Sequence, residues 1–454
     1  MAIRKAAWNQ PANKLVDKVL RYLQISSRVL STIHSSSMAS HSPYPPFAGN
    51  KPRIGREPTL RVGFLTYDLQ RNTEDALFEV ARAAPQFIVK AFPLYKHSDQ
   101  ELSRVPYRPA TARGKYLGVD VRGSTPEGLA SNLEWAVGLA CARESDVVVL
   151  KGLFGLGAIW CALCASLLRR VVISTNQTLP VSWERKRRWW IRLSKRLLLR
   201  LCHYHIYQNP AAFEVLTEVH GCASGRLISA PYEGGAALFR GILNQVAAGQ
   251  VLPRDLGLGS GTIFLFAGNL HAFKGVGDIV RAAALLPPTA SFSCVFVGPE
   301  EPADRAGGTI EHFTQLARSM GVEHRVRFFG PATPEKLAEF YLAADVVLLP
   351  THRDMFPKVL VEAGLAGKPL VTTTACGSAG LIVQDGVNGF VIEPDDVPQL
   401  AQAMTKLLDP GLCAEMGALS RGIVDQYCKM DLEVHGYINA IDRGMEFLRL
   451  RERV

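Results

Sequence analysis

From Leu60 onward, short runs of consecutive apolar residues alternate with longer stretches in which apolar positions recur every three or four residues. "LRVGFLTYD", "DVVVL", "RVVIST" and "YHIYQN" read as a first series of strands. "TIFLFAG", "SCVFVG", "RVRFFG", "DVVLLP", "PLVTTT" and "GFVIEP" read as a second. Helical spacing fills the intervals, with helices predicted over 276–286, 309–320, 334–343, 357–366 and 397–408. Strands that are apolar throughout belong to parallel sheets covered on both faces. The pattern therefore predicts an α/β protein of two Rossmann-like domains with parallel sheets, facing a central cleft. Ligands of such sheets sit beyond the C-terminal strand ends.

"NQVAAGQVLPRDLGLGSG" reads as the linker between the series, giving domains at 59–245 and 260–425 and a last helix in 426–454. Residues 1–58 stand apart as a basic arm and linker. Leu15, Val16, Val19, Leu20, Leu23, Val29, Leu30 and Ile33 recur at roughly helical spacing between basic residues, and "SSSMASHSPYPPFAGNKP" is linker-like. The arm has three readings: a membrane-surface segment, a segment docked on the protein itself, or a transit peptide. The first residues lack a compact apolar core and an A-x-A-like site, so no cleavable secretory signal is expected. "VVVLKGLFGLGAIWCALCASLL" (147–168) has the length of a membrane span, but Lys151 and Gly152 punctuate it. A buried strand running into a buried helix is the reading kept.

Composition adds little to this picture, and charge adds more. With 48% apolar and 20% charged residues in a chain of 454, a globular protein with full cores is expected. Nine cysteines include one C-x-x-C, Cys161 and Cys164, without a second pair to complete a zinc site. Reduced thiols in a cytoplasmic protein are expected. The net charge of +10 is concentrated in two places. Residues 1–58 carry nine Lys/Arg against two acids, and residues 182–207 carry eight against Glu184, so each is +7. The remainder, 10 − 14, is −4. Two local cationic patches point to an anionic membrane surface or nucleic acid.

The motif search excludes several chemistries. No G-x-G-x-x-G follows the first strand, and neither a Walker A sequence, D-x-D, H-E-x-x-H nor G-x-S-x-G occurs. What does occur is a strand leading into "GNLHAFKGVGDI". Lys274 beside a helix N-terminus holds a diphosphate in one reading and is a surface lysine in the other. In "THRDMFPKVLVEAGLAGKPL" (351–370), Pro357 opens a helix. Asp354 before it reads as an N-cap, and Glu362 as a partner of Lys358 one turn back. Yet Glu362 stands among Val359, Leu360, Val361, Ala363 and Leu365, where a carboxylate is costly without a partner or a use. The small-residue loop "ACGSAG" (375–380) lets a ligand approach the backbone.

Together "FAGNLHAFKGV", "CVFVGPEEP" and the stretch from "VRFFGPATPEKL" to "GVNGFVIEP" resemble the donor domain of the family-4 glycosyltransferases, retaining enzymes of the GT-B fold. The resemblance runs through about 260–410 and is weaker over 60–245, where "ISAPYEGGAALF" looks like the segment ending the acceptor domain. It implies transfer of a hexose from a UDP- or GDP-sugar to a glycan or lipid-linked acceptor, with no divalent metal or other cofactor. The family's E-x7-E motif falls on Asp354 and Glu362, with Asp in place of the first Glu. By resemblance Glu362 binds ribose hydroxyls, Asp354 binds the donor sugar and Lys274 clamps the diphosphate. Asn176 completes the implied catalytic set. Gly268, Asn269, His271, Gly298, Gly330, Phe356, Lys358, Gly377 and Ser378 are the implied donor-binding residues. The chain departs from the pattern at Asn269, where the family usually has Arg, at Asn176, where it usually has His, and at Gly380, where Glu is frequent. Asn176 can hydrogen-bond a hydroxyl but cannot titrate. His271 stands where it can replace part of the lost Arg.

"SWERKRRWWIRLSKRLLLRL" then predicts an amphipathic basic helix. Trp190, Leu193, Leu197 and Leu201 form one stripe; Arg185, Arg188, Arg192, Arg196 and Arg200 form another. Trp189, Trp190, Arg185, Arg188 and Arg192 make this a membrane-interface candidate, with a helix docked on its own domain as the other reading. No nucleic-acid-reading motif accompanies the charge, so nucleic acid is not expected. Peripheral attachment to the inner membrane face follows. Two rival functions remain open: a non-catalytic glycosyltransferase-like partner, and a GT-B enzyme of another reaction, such as a nucleotide-sugar epimerase or a phosphorylase.

Overall fold

A computed structural model of the protein describes residues 60–66, 71–93, 115–116, 119–121, 130–151, 156–178, 188–247, 256–300 and 308–452. The basic arm (1–58) and Arg185 lie outside the described residues. The first sheet holds β1 (Leu60–Thr66), β2 (Phe87–Pro93), β3 (Lys115–Tyr116), β4 (Val119–Val121), β5 (Val147–Lys151), β6 (Val171–Asn176), β7 (Tyr204–Tyr207) and β8 (Leu227–Ser229). Their order is β3-β4-β2-β1-β5-β6-β7-β8, parallel except for β3 against β4. The second sheet holds β9 (Thr262–Ala267), β10 (Phe292–Val297), β11 (Val326–Phe328), β12 (Val346–Leu348), β13 (Leu370–Thr373) and β14 (Gly389–Ile392). Their order is β11-β10-β9-β12-β13-β14, all parallel. The result is the α/β GT-B arrangement of two sheets, each covered by helices.

The apolar runs become central strands because both faces are covered. Val147 to Leu150 and Val171 to Ile173 are fully buried. The 147–168 stretch divides into β5 and a 12-residue helix, Leu156–Leu167, too short to span a bilayer. Among the described residues no helix is long and apolar enough to cross a membrane. All nine cysteines are free, and all but the half-buried Cys222 are buried.

Two crossings join the halves. The predicted first domain ran to 245, but the helix Ala236–Ala247 packs into the second domain's core through Ala236, Phe239 and Leu243. The chain therefore crosses earlier, at Ala230–Gly235. There Gly234 and Gly235 both take left-handed φ (70° and 85°), which glycine adopts without penalty. Glu233 then caps the helix, its carboxylate accepting from Gly235 N (2.7 Å) and from Ala237 N. The last helix, Met430–Glu452, crosses back and lays Val434, Tyr437, Ala440, Ile441 and Phe447 into the first domain's core. Gly436 and Gly444 permit that approach. A Cβ on Gly436 would stand 2.3 Å from Ala230 Cβ, and one on Gly444 2.5 Å from Val171 Cγ1.

Candidate active site

The second sheet reverses its strand order between β9 and β12, so the loops leaving these neighbours diverge and open a crevice. The loop after β9 starts at Gly268 (φ 136°) and makes one tight turn, Ala272–Lys274, capped by His271. Gly275 ends it at φ 80°, with its Cα against Pro350: a Cβ there would lie 2.2 Å from the Pro350 carbonyl oxygen. The loop after β12 is stitched to the first by two bonds to the Phe273 carbonyl, from Thr351 Oγ1 (3.1 Å) and His352 N (2.7 Å). This stitching brings Lys274 and Asp354, 80 residues apart in sequence, into an ion pair that is only partly open to solvent.

Asp354 is held from a third side. Its N–H donates to Ala375 O (3.3 Å), and its carbonyl accepts from Gly377 N (2.8 Å). A Cβ on Gly377 would come 2.0 Å from Met355 O and 2.7 Å from Asn209 Nδ2. Asn209 belongs to the first domain, and its Nδ2 donates to Thr178 O (3.2 Å) there and to Met355 O (3.0 Å) across the cleft. Asp354 is thus no N-cap: the helix Lys358–Leu365 begins after Pro357, without a side-chain cap.

Glu362 has a partner that the sequence reading did not name. The Tyr341 hydroxyl donates to Glu362 Oε2 at 3.0 Å. Burial raises the Glu362 carboxyl above the usual range; the Tyr341 bond and the Lys358 charge partly offset it. Lys358 itself is exposed. Tyr341 is fully buried and meets Phe239 edge-on. Nothing in "EFYLAAD" distinguishes it from any other buried aromatic.

The remaining residues fall into three groups. Gly268, Gly298 and Gly330 end β9, β10 and β11 side by side: Gly298 N donates to Gly330 O (2.8 Å), and a Cβ on Gly298 would lie 1.9 Å from Gly268 O. They form a side-chain-free edge of the crevice. Asn269 is exposed there, and His271 lies tilted against Phe273 at 3.9 Å between ring centroids. Phe356 and Ser378 are buried; Phe356 meets Tyr232 edge-on at 5.4 Å, in the joint between the domains rather than on the crevice wall. Asn176 is fully buried at the end of β6, its Nδ2 donating to Ser174 Oγ (3.0 Å) and Ile206 O (3.1 Å). Those bonds tie its amide nitrogen into the first sheet, while its Oδ1 has no hydrogen-bond partner among the described residues.

The joint contains one further charged group. Glu433, on the last helix, is fully buried and accepts from Gln208 Nε2 (3.0 Å) and Glu233 N (3.0 Å), with Lys151 Nζ 4.0 Å away. Burial and the nearby Glu233 push its carboxyl up to about 7, although Lys151 and the two bonds pull the other way. Burial likewise lowers Lys151.

A crevice at a switch point, lined by a lysine, a carboxylate and glycine strand ends, has the chemistry to take a phosphorylated ligand. Residues 253–420 match the family model "Glycosyl transferases group 1". Residues 253–420 are thus similar to a glycosyl transferases group 1 domain. Among curated relatives, D-inositol 3-phosphate glycosyltransferase of Corynebacterium diphtheriae is 36% identical over 150 residues, 32% of this chain and 34% of that protein. The enzyme of the same name from Acidothermus cellulolyticus is 33% identical over 207 residues, 44% of each chain. The chain thus spans less than half the length of these relatives. Among solved structures, Anabaena HepE in complex with UDP aligns at a TM-score of 0.64 with 18% identity, covering 85% of this chain and all of that one. A glycosyltransferase of Rickettsia africae aligns at 0.63 with 13% identity, covering 85% and 99%. These structural likenesses extend the fold over both domains of the chain.

Proposed function

We propose that the protein is a retaining, metal-independent hexosyltransferase of the family-4 type. It would take its sugar from a UDP- or GDP-sugar and pass it to an acceptor hydroxyl. The observation that carries this reading is the Lys274–Asp354 pair at the β9/β12 switch point. A nucleoside diphosphate entering the crevice replaces Asp354 as the partner of Lys274, and Asp354 turns to the donor sugar. Glu362, with Oε2 fixed by Tyr341, offers Oε1 to the ribose. The bond between the anomeric carbon and the phosphate oxygen breaks with its electron pair leaving on phosphate. Lys274 stabilises that charge more in the transition state than before it. The acceptor oxygen adds to the oxocarbenium-like carbon from the same face, and its proton passes to the leaving phosphate.

On the acceptor side, the helix Trp189–Leu201 supports a lipid-linked or membrane-borne glycan acceptor. Lys195, Leu198, Leu199 and Leu201 face the domain. Trp189 (69% exposed), Trp190 (51%), Leu193 (57%) and Leu197 (42%) face outward with Arg188. Of the predicted apolar stripe, only Leu201 turns inward. An exposed Trp–Leu stripe flanked by arginines suits an anionic bilayer interface. The buried Asn176 favours one second reading, a glycosyltransferase-like protein that binds donors without turning them over.

Calorimetric titration and turnover assays with UDP-, GDP- and ADP-sugars test this directly, with D-inositol 3-phosphate among the acceptors. Binding of one donor class, lost in Lys274→Ala, is expected. No binding of any nucleotide sugar would sink the enzyme reading, and binding without turnover across a broad acceptor panel would favour the second.

A further inference from the structure

Arg353 is the one residue of the β12 loop's charged run, His352-Arg353-Asp354, without an ion-pair partner among the described residues. Its neighbours are committed. His352 Nε2 lies 2.7 Å from Asp278 Oδ2 and 3.2 Å from Asp395 Oδ1, and Asp354 holds Lys274. Asp278 also takes Arg281 at 2.6 Å. Asp278, Asp354 and Asp395 are therefore engaged, and Arg353 rests instead on an aromatic face. Its guanidinium carbon is 4.8 Å from the centroid of the Phe273 ring, and Lys274 Nζ lies 5.5 Å from the same centroid.

This placement is held by backbone. The Phe273 carbonyl accepts from both Thr351 and His352, so the ring and the arginine's own loop cannot drift apart without breaking two hydrogen bonds. A guanidinium stacked on a ring keeps its N–H donors available at its edge. It is thereby pre-positioned for an anion, at little cost in side-chain ordering. A diphosphate presents more negative charge than one lysine balances, and Asn269 on the β9 loop is neutral.

Resting on the nucleotide-sugar reading above, we infer that Arg353 is the second cation of the diphosphate site. It would bind the phosphate oxygens from the β12 loop while Lys274 binds them from the β9 loop. Two cations, one from each loop, would favour a nucleoside diphosphate over a monophosphate, which has less charge for the pair to hold.

The test is calorimetric, comparing UDP with UMP and GDP with GMP on the full chain and on Arg353→Gln, Arg353→Lys and Lys274→Gln. Arg353 is exposed, and retained monophosphate binding checks that each variant is folded. Arg353→Gln should weaken the bound nucleoside diphosphate about tenfold or more, the loss of a charge-assisted contact, and change the monophosphate less than about twofold. Arg353→Lys should recover part of the loss, because the charge returns without the planar fork. If the wild-type chain binds nucleotide and Arg353→Gln keeps its diphosphate preference, the Arg353 assignment alone is overturned. Equal weakening of mono- and diphosphate overturns it too. If the wild-type chain binds none of the four, the nucleotide-sugar reading falls and this inference with it.

Discussion

The Tyr341 hydroxyl donates to Oε2 of Glu362 at 3.0 Å, fixing one oxygen of a carboxylate that burial otherwise disfavours. Tyr341→Phe removes the donor from a half-buried carboxylate, which should cost roughly 1 kcal/mol of stability. It should also raise the Glu362 carboxyl further, because the bond it loses favours the charged form. If the carboxylate binds ribose, donor affinity falls as pH falls through that value. The acid limb of a donor-affinity profile should then move to higher pH in the variant. An unshifted limb would remove Glu362 from the donor site.

Asp354 and Lys274 neutralise each other, so a diphosphate must compete with the aspartate. Asp354→Asn abolishes the competition. It should leave nucleoside diphosphate affinity unchanged or tighten it by up to about tenfold, while lowering transfer because the donor sugar loses its carboxylate. Calorimetry with the diphosphate and a transfer assay separate the two effects. Parallel loss of both would mean that the pair organises the loops and that Asp354 has no separate role with the sugar.

Much of this was readable from the chain because each inference rested on a local rule. The strands of the second sheet follow from short, mostly apolar runs, and the five helices predicted among them lie within a few residues of their limits, but the helix Pro410–Tyr427 was not read. β2, β3, β4 and β8 were not read: Lys90 interrupts "FIVKAFP", β3 has only two residues, and β4 and β8 have only three each. The boundary at 245 was misplaced because helical spacing in "AALFRGILNQVA" does not say which core its apolar face enters; Phe239 meeting Tyr341 does. Within the site, Lys274, Asp354 and Glu362 were legible as types at a spacing. Tyr341 and Arg353 were not, since their significance lies in what they touch 21 and 80 residues away. Asn209 carried an unused signal. Asn followed by Pro marks a helix start, although its bond to Met355 across the cleft leaves no trace in sequence.

The outward stripe of Trp189, Trp190, Leu193 and Leu197 predicts binding to liposomes containing anionic lipid. Arg188→Glu with Arg192→Glu should weaken co-sedimentation at low salt by roughly tenfold or more, each basic residue near a charged surface contributing about 1 kcal/mol. Trp190→Ala should weaken it at every salt concentration. Binding indifferent to both changes and to salt would show that the stripe is only an exposed face.

Glu433 provides a pH test of the joint between the domains. Its carboxyl is pushed up to about 7 in the fold, by burial first and by Glu233 second, against the ordinary 4.5 of an unfolded chain. Between these values the folded protein binds more protons at this site than the unfolded one does. The sign is therefore the reverse of that for a salt-bridged carboxylate: the contribution of Glu433 is largest below about pH 4.5 and is lost as pH rises toward 7. Glu433→Gln keeps a hydrogen-bonding group beside Gln208 and Glu233 N but cannot ionise. The stability difference between wild type and variant should therefore shift in favour of glutamine by on the order of 3 kcal/mol between pH 5 and 7.5, then stay level. Urea denaturation at closely spaced pH values measures it. A constant difference across that window would mean that Glu433 stays ionised in the fold, with Lys151, 4.0 Å away, holding it charged despite its burial.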